Sequence, residues 1–178
     1  LTAEMVDQSK RLLGLLGVPI VQAPSEGEAQ ASAMARSGSA YAAASQDYDA
    51  LLFGAPRLVK NLAISGRRKL PRKEVYVDVQ PEEIGLDATL AALALTREQL
   101  VDMALLIGTD FNEGVRGIGP KKALSLIRKH GSLEPALVEL KMDIESKDEV
   151  RQIFLEPRVL PEVHVEFRDP DADGVRAM

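Results

Sequence analysis

Along residues 1–80, short apolar runs alternate with helix-period segments over connections of only a few residues, a pattern that folds as an α/β sheet. Residues Thr2 to Leu16 place Met5, Val6, Leu12, Leu13, Leu15 and Leu16 at helical spacing, with Gly17 as C-cap and Pro19 beyond it. Val18 to Gln22 reads as a short buried strand. Pro24 and Ser25 open a second helix, in which Ser25 and Glu28 make a capping-box pattern, and that helix stops near Gly38. Ala40 to Ser45 reads as a strand of small buried residues, and Leu51 to Phe53 as a short helix or turn ended by Gly54 and Pro56. Arg57 to Ile64 and Glu74 to Val79 read as two further strands joined by a basic, Gly-containing turn. The expected sheet is parallel at least in its first part and flanked by helices.

After Pro81 the pattern becomes helical. Thr96 and Gln99 form a second capping-box pattern, and the helix that they start carries Leu100, Val101, Met103, Ala104, Leu105 and Ile107 toward a core. The run G-T-D-F-N-E-G-V-R-G-I-G-P-K-K-A follows, then a helix from Pro120 to about Lys129 with Gly131 as C-cap, and a short one near Leu133 to Leu140. Ser146 and Glu149 start another, which Pro157 ends. The chain thus divides into an α/β part, residues 1–80, and a mostly helical part, residues 81–178.

Two tight acidic pairs, Glu26 with Glu28 in APSEGEAQ and Asp47 with Asp49 in SQDYDALLF, each follow an expected strand. In a parallel sheet the carboxyl ends of adjacent strands share one edge, and ligands gather in the crevice outside it. Asp110 is a fifth candidate, placed just past a helix C-terminus where the dipole disfavours a carboxylate by ~0.3 to 1 kcal/mol. Taken singly, Glu28 also reads as half of a capping box, Asp47 and Asp49 as turn residues, and Asp110 as an Asx-turn. Converging carboxylates need a cation. With no cysteine and two histidines, His130 and His164, thiolate and multi-histidine sites are nearly excluded, which leaves oxygen ligation of a hard ion such as Mg²⁺ or Mn²⁺. Two such ions support phosphodiester hydrolysis.

The net charge of −5 argues against a polyanionic partner, but the charge is segregated along the chain. Arg57, Lys60, Arg67, Arg68, Lys69, Arg72 and Lys73 form a basic stretch without an acid, and Arg116, Lys121, Lys122, Arg128 and Lys129 form another. Gly114, Gly117 and Gly119 permit a tight hairpin between helices, and Pro120 suits the first turn of the next. Backbone N–H groups at such a helix start, with Lys121 and Lys122, suit a phosphate oxygen and read no base sequence. No apolar run reaches the ~18 residues of a membrane span, and the first residues lack a signal-peptide pattern, so a cytoplasmic protein is expected. The start at Leu1, inside a helical pattern, implies a piece of a longer or processed chain.

Taken together, APSEGEAQA, SQDYDALLFGAP, ISGRRKLP and GTDFNEGVRGIGPKKAL resemble the flap endonuclease family of structure-specific 5′-nucleases, most closely its archaeal members. The resemblance covers nearly the whole chain. It implies a PIN-like nuclease core, a mixed sheet between helices, followed by a helix-hairpin-helix region. It implies cleavage of 5′ flaps at single-strand to double-strand junctions in replication and repair, with two Mg²⁺ or Mn²⁺ ions held by Glu26, Glu28, Asp47, Asp49 and Asp110. The segment around Gly114, Val115 and Ile118 resembles the hairpin whose carbonyls hold a monovalent cation, typically K⁺, against duplex. Arg67, Arg68, Lys69, Gly117, Gly119, Lys121 and Lys122 are then DNA contacts.

The departures are as specific. The family's N-terminal segment supplies two further aspartates and a basic helical arch, and its carboxy-terminal peptide binds a sliding clamp; neither has a counterpart in these residues. Phe111 stands where the family often has tyrosine. The alternative reading is a non-catalytic duplex-binding fragment with a residual metal site. A phosphatase or Ca²⁺-binding domain would use the same carboxylates but leaves the hairpin unexplained.

Overall fold

The computed structural model describes residues 2–63, 66–69 and 74–178, without the side chains of residues 67–69 and 77. The chain opens with α1, Ala3–Leu15, whose Thr2 hydroxyl accepts from the Met5 N–H as N-cap and which buries none of its side chains. Gly17 leaves the helix at φ 73°. The strand expected over Val18–Gln22 does not form: this stretch belongs to no ladder among the described residues, and Val18 and Ile20 stay exposed. A strand needs a neighbour to take its backbone groups. The returning chain reaches only its edge, where the Arg168 N–H bonds the carbonyl of Gly17, 3.0 Å, the residue before the stretch.

α2, Gly27–Ser37, follows Glu26 as N-cap and ends at Gly38 in the left-handed region, φ 80°. The Ser25–Glu28 capping box is absent, because the Glu28 carboxylate is taken by the Ser45 hydroxyl across the sheet edge. β1, Ala43–Ala44, pairs in parallel with β2, Arg57–Lys60, and α3, Asp49–Leu52, makes the crossover between them. β2 pairs antiparallel with β5, Glu82–Gly85, giving the order β1-β2-β5. The sheet is therefore mixed, parallel in its first pair as expected, with shorter strands than the apolar runs implied.

The basic stretch is not a simple turn. β3, Arg67–Lys69, pairs antiparallel with β4, Tyr76–Asp78, as a separate two-stranded sheet. Ile64, Arg72 and Lys73 lie outside the described residues, as do the side chains of Arg67, Arg68 and Lys69. β5 and the following α4, Leu86–Leu93, had no clear sequence signal: Glu82-Glu83-Ile84-Gly85 is too polar to look like a strand, yet its backbone completes the ladder of β2.

α5, Arg97–Ile107, starts with the expected capping box, the Thr96 hydroxyl accepting from the Gln99 N–H and the Gln99 side chain accepting from the Thr96 N–H. α6, Pro120–His130, with Gly131 as its left-handed cap, α7, Leu133–Leu140, and α8, Lys147–Leu155, match the expected helices within a residue or two. α9, Ala172–Arg176, closes the fold against α1. One apolar core joins sheet and helices: Leu58 of β2, Val101, Leu105 and Leu106 of α5, Ile127 of α6, Leu133 of α7 and Phe154 of α8 are all fully buried. Phe154 packs on Phe53, 4.9 Å between centroids, and edge-on to Phe111, 5.5 Å. Arg97 fastens two helix ends to this centre by donating to the carbonyls of Leu52, 3.0 Å, and Phe154, 2.7 Å. Among the described residues no helix is long and apolar enough to cross a membrane.

Candidate metal centre

The parallel pair β1-β2 sets the position of the acidic residues. β1 is two alanines packed against α2, and Ser45 follows it as the first polar residue; the Ser45 N–H still bonds the Val59 carbonyl at 3.2 Å. Asp47 and Asp49 follow at the turn into α3, where the Ser45 hydroxyl accepts from the Asp47 N–H at 3.1 Å. Glu28, in the first turn of α2, receives the hydroxyl of the same serine. Ser45 thereby couples Glu28 to the aspartate turn, a role that the sequence did not mark beyond a hydroxyl at a strand end.

Asp110 arrives from the other half of the chain. The loop after α5 makes its own bonds through Thr109 and Asn112: Thr109 Oγ1 accepts from the Phe111 N–H at 3.1 Å and donates to Asn112 Oδ1 at 2.8 Å, and Asn112 Nδ2 donates to the Leu105 carbonyl at 2.8 Å. The Asx-turn through Asp110 therefore does not form, and its exposed carboxylate is left for other partners. Asp47, Asp49 and Asp110 line one cleft of about 800 Å³ between α3, α4 and α5, whose floor is Leu51, Leu93, Met103 and Ile107.

Electrostatics show the same grouping. Burial first, and then the charges of Glu28, Asp110 and Asp47, together push the Asp49 carboxyl up to about 6. Among the described residues no lysine or arginine forms an ion pair with any of the four. Glu26 stands apart. It borders a second cavity, of about 370 Å³, with Phe53, Gln152 and Arg158. Among the described residues no three of these side chains already stand as a finished set of metal ligands.

The glycine-rich loop between α5 and α6 is a helical hairpin. Gly114, at φ 70°, passes so close to α5 that a Cβ would lie 2.5 Å from the Ile107 carbonyl, so only glycine fits. Val115 anchors the loop in the core, and its N–H bonds the Leu106 carbonyl at 2.9 Å. The Ile118 N–H closes a turn on the Val115 carbonyl at 3.0 Å, and Gly117 takes φ 82°. Gly119 is different: its φ of −103° is open to any residue, and nothing crowds it. Lys122 folds back onto the Gly117 carbonyl, 3.1 Å, whereas Lys121 projects into solvent. His130 pairs with Glu139 at 2.6 Å, away from the acidic cleft.

Comparison with known proteins follows the same lines. The model of the XPG I-region matches residues 17–110, more than half of the 178, and spans Glu26, Glu28, Asp47, Asp49 and Asp110. The chain belongs to the XPG I-region family. It is 56% identical over 167 residues to flap endonuclease 1 of Archaeoglobus fulgidus, covering 94% of this chain and 50% of that protein. Against flap endonuclease 1 of Ignicoccus hospitalis the identity is 57% over 176 residues, 98% of this chain and 50% of that one. The solved flap endonuclease-1 from Methanococcus jannaschii superposes with a TM-score of 0.84 at 43% identity, over 98% of this chain and 51% of that structure. The XPG-family chain thus spans about half the length of the relatives it matches, and it shares their mixed-sheet nuclease fold.

Proposed function

We propose that the protein carrying this chain is a structure-specific 5′-flap endonuclease, hydrolysing DNA phosphodiesters at single-strand to double-strand junctions in replication and repair. The observation that carries the proposal is the convergence of Glu28, Asp47, Asp49 and Asp110 from opposite halves of the sequence, with no described cation to balance them. An all-oxygen, charge-rich donor set suits Mg²⁺ or Mn²⁺. When bound, such a pair of ions lowers the pKa of an attacking water and stabilises the departing oxygen. Glu28, Asp47, Asp49 and Asp110 are the inner carboxylates of this assignment and Glu26 an outer one. Ser45 orients Glu28, and the Thr109–Asn112 bonds keep Asp110 free of its own loop.

Duplex is held beside this site by the hairpin. The carbonyls of Gly114, Val115 and Ile118 are the K⁺ ligands of the proposal, and Gly117, Gly119, Lys121 and Lys122 face the phosphates of one strand. Arg67, Arg68 and Lys69 of β3 contact DNA as well. The partners are branched or flapped DNA and, for the whole protein, a sliding clamp; the setting is the cytoplasm, at the nucleoid.

The test is cleavage of a 5′-flap oligonucleotide with Mg²⁺ by the whole protein that carries this sequence. Asp49→Asn and Asp110→Asn should each lower the rate by about 100-fold or more while flap binding persists. Near-normal cutting by either variant refutes the assignment. The unfinished ligand set favours one competing reading, a duplex-binding module without catalysis. Salt-dependent duplex binding with no cutting under any divalent ion would establish that reading instead.

A further inference from the structure

Tyr48 stands between Asp47 and Asp49, yet it is no core residue: it is 57% exposed and lies on the wall of the acidic cleft. Its neighbours Ala50, Leu51 and Leu52 are buried, so the turn into α3 deliberately leaves the one aromatic side chain outside. The ring is not loose in solvent. Lys60, the last residue of β2, holds its ammonium 3.5 Å from the ring centroid. β2 is the strand that pairs in parallel with β1, so the cation comes from the neighbouring strand to the residue flanked by two carboxylates. Among the described residues Lys60 forms no ion pair, even with acids on either side of the ring that it covers. An ammonium over one face fixes the ring's orientation and leaves the rest of its surface open.

We infer that Tyr48 is a stacking platform for a nucleobase next to the phosphate held at the carboxylates, backed by Lys60. The inference deepens the nuclease reading and rests on it. A rim of four acids with no paired base repels the strand that it must receive. An aromatic surface attracts that strand without charge, through the π-face that every base offers, and therefore without sequence preference. Lys60 adds the single positive charge that such a rim tolerates without neutralising the carboxylates. Because Tyr48 is adjacent in the chain to Asp47 and Asp49, the stacked base belongs to one of the two nucleotides flanking the held phosphate. Tyr48 is thus a positioning residue: it sets which phosphodiester lies at the carboxylates.

The experiment uses 2-aminopurine, a fluorescent adenine analogue, on either side of the cleavage position of a 5′-flap duplex. Binding is followed with Ca²⁺, which takes the same oxygen ligands. With the whole protein the fluorescence at one of the two positions is expected to be quenched on binding. Tyr48→Phe should keep the quench, Tyr48→Ala should lose it and raise Kd about tenfold, and Lys60→Met should raise Kd by a smaller factor. With Mg²⁺, Tyr48→Ala should also spread the cut over neighbouring phosphodiesters. If Tyr48→Ala quenches, binds and cuts at one position like the wild type, the stacking role is overturned and the nuclease reading stands. If the wild type neither binds nor cuts flap DNA, both are overturned together.

Discussion

At the scale of single residues, the acidic cleft shows how charge and burial oppose each other. Asp49 is half-buried, and burial, then the charges of Glu28, Asp110 and Asp47, lift its carboxyl from 3.8 to about 6. Between those values the folded chain holds a proton that the unfolded chain has released. Stability attributable to this group is therefore fully present below about pH 4, falls as pH rises through roughly 4 to 6, and is gone above that. Asp49→Asn removes the penalty: in EDTA at pH 7 it should be more stable than the wild type by on the order of 1 kcal/mol, after allowance for solvent screening, and the gain should vanish by pH 4. Urea midpoints that coincide at pH 7 would mean that neither burial nor the neighbouring carboxylates penalise the Asp49 charge. Adding Mg²⁺ should reverse the order, since only the wild type gains a ligand that binds the native state. Asp47, Asp49 and Asp110 were legible in the sequence because each follows an element whose end is marked by small residues or glycine. The parting of Glu26 from Glu28 was legible only in hindsight: residues two apart at a helix start face opposite sides, and one meets Ser45 while the other meets the second cavity.

At the scale of elements, the sequence signals that succeeded are local ones. The Thr96–Gln99 box, Pro120 at a helix start and Gly131 at a helix end act within one turn, and α5 and α6 appear where these residues place them. The failures are partnerships. Val18–Gln22 has the residues of a strand and no ladder among the described residues, whereas Glu82–Gly85 lacks them and is a strand because β2 offers its free edge. Likewise nothing in the sequence of α5 announces that Asp102 is a junction. Its carboxylate, 4% exposed in the residue as a whole, accepts from the Leu133 N–H at the start of α7, 2.9 Å, and from Arg151 of α8, 2.8 Å and 2.7 Å. Arg151 also reaches Glu134 at 2.8 Å. Burial raises the Asp102 carboxyl and these donors draw it back, so that one side chain ties three helices behind the hairpin. Asp102→Ala would leave a buried N–H and a guanidinium without their shared partner, and a loss of about 3 kcal/mol is expected in chemical denaturation. A change under 1 kcal/mol would show that α7 and α8 are held by their apolar faces alone.

At the scale of the whole molecule, the fold is a tightly cored body with α1 attached from outside. α1 buries no side chain, and what holds it is the returning chain after α8. Gln30, buried in α2, accepts from the Leu160 N–H at 2.7 Å and donates back to the Leu160 carbonyl at 3.4 Å, which fixes the strap as it leaves the core. Farther on, the Arg168 N–H bonds the Gly17 carbonyl at 3.0 Å and the Asp171 N–H bonds the Leu15 carbonyl at 2.8 Å, so backbone bonds tie the end of α1 to the returning chain. Gly17 is the critical point of this attachment, because its φ of 73° is strained for other residues and a Cβ there would collide with the Arg168 carbonyl. Gly17→Ala should therefore free α1 and α9 together while leaving the core intact. Hydrogen exchange gives the measurement: amides of α1 should exchange much faster in the variant, those of α5 and α6 at unchanged rates. Uniform acceleration across the chain would mean instead that α1 and the core unfold as one unit. The acidic cluster draws its groups from α2, the turn into α3 and the α5 loop, all on the core side of this division, so the variant should also keep the raised Asp49 carboxyl, read from the pH dependence of its stability.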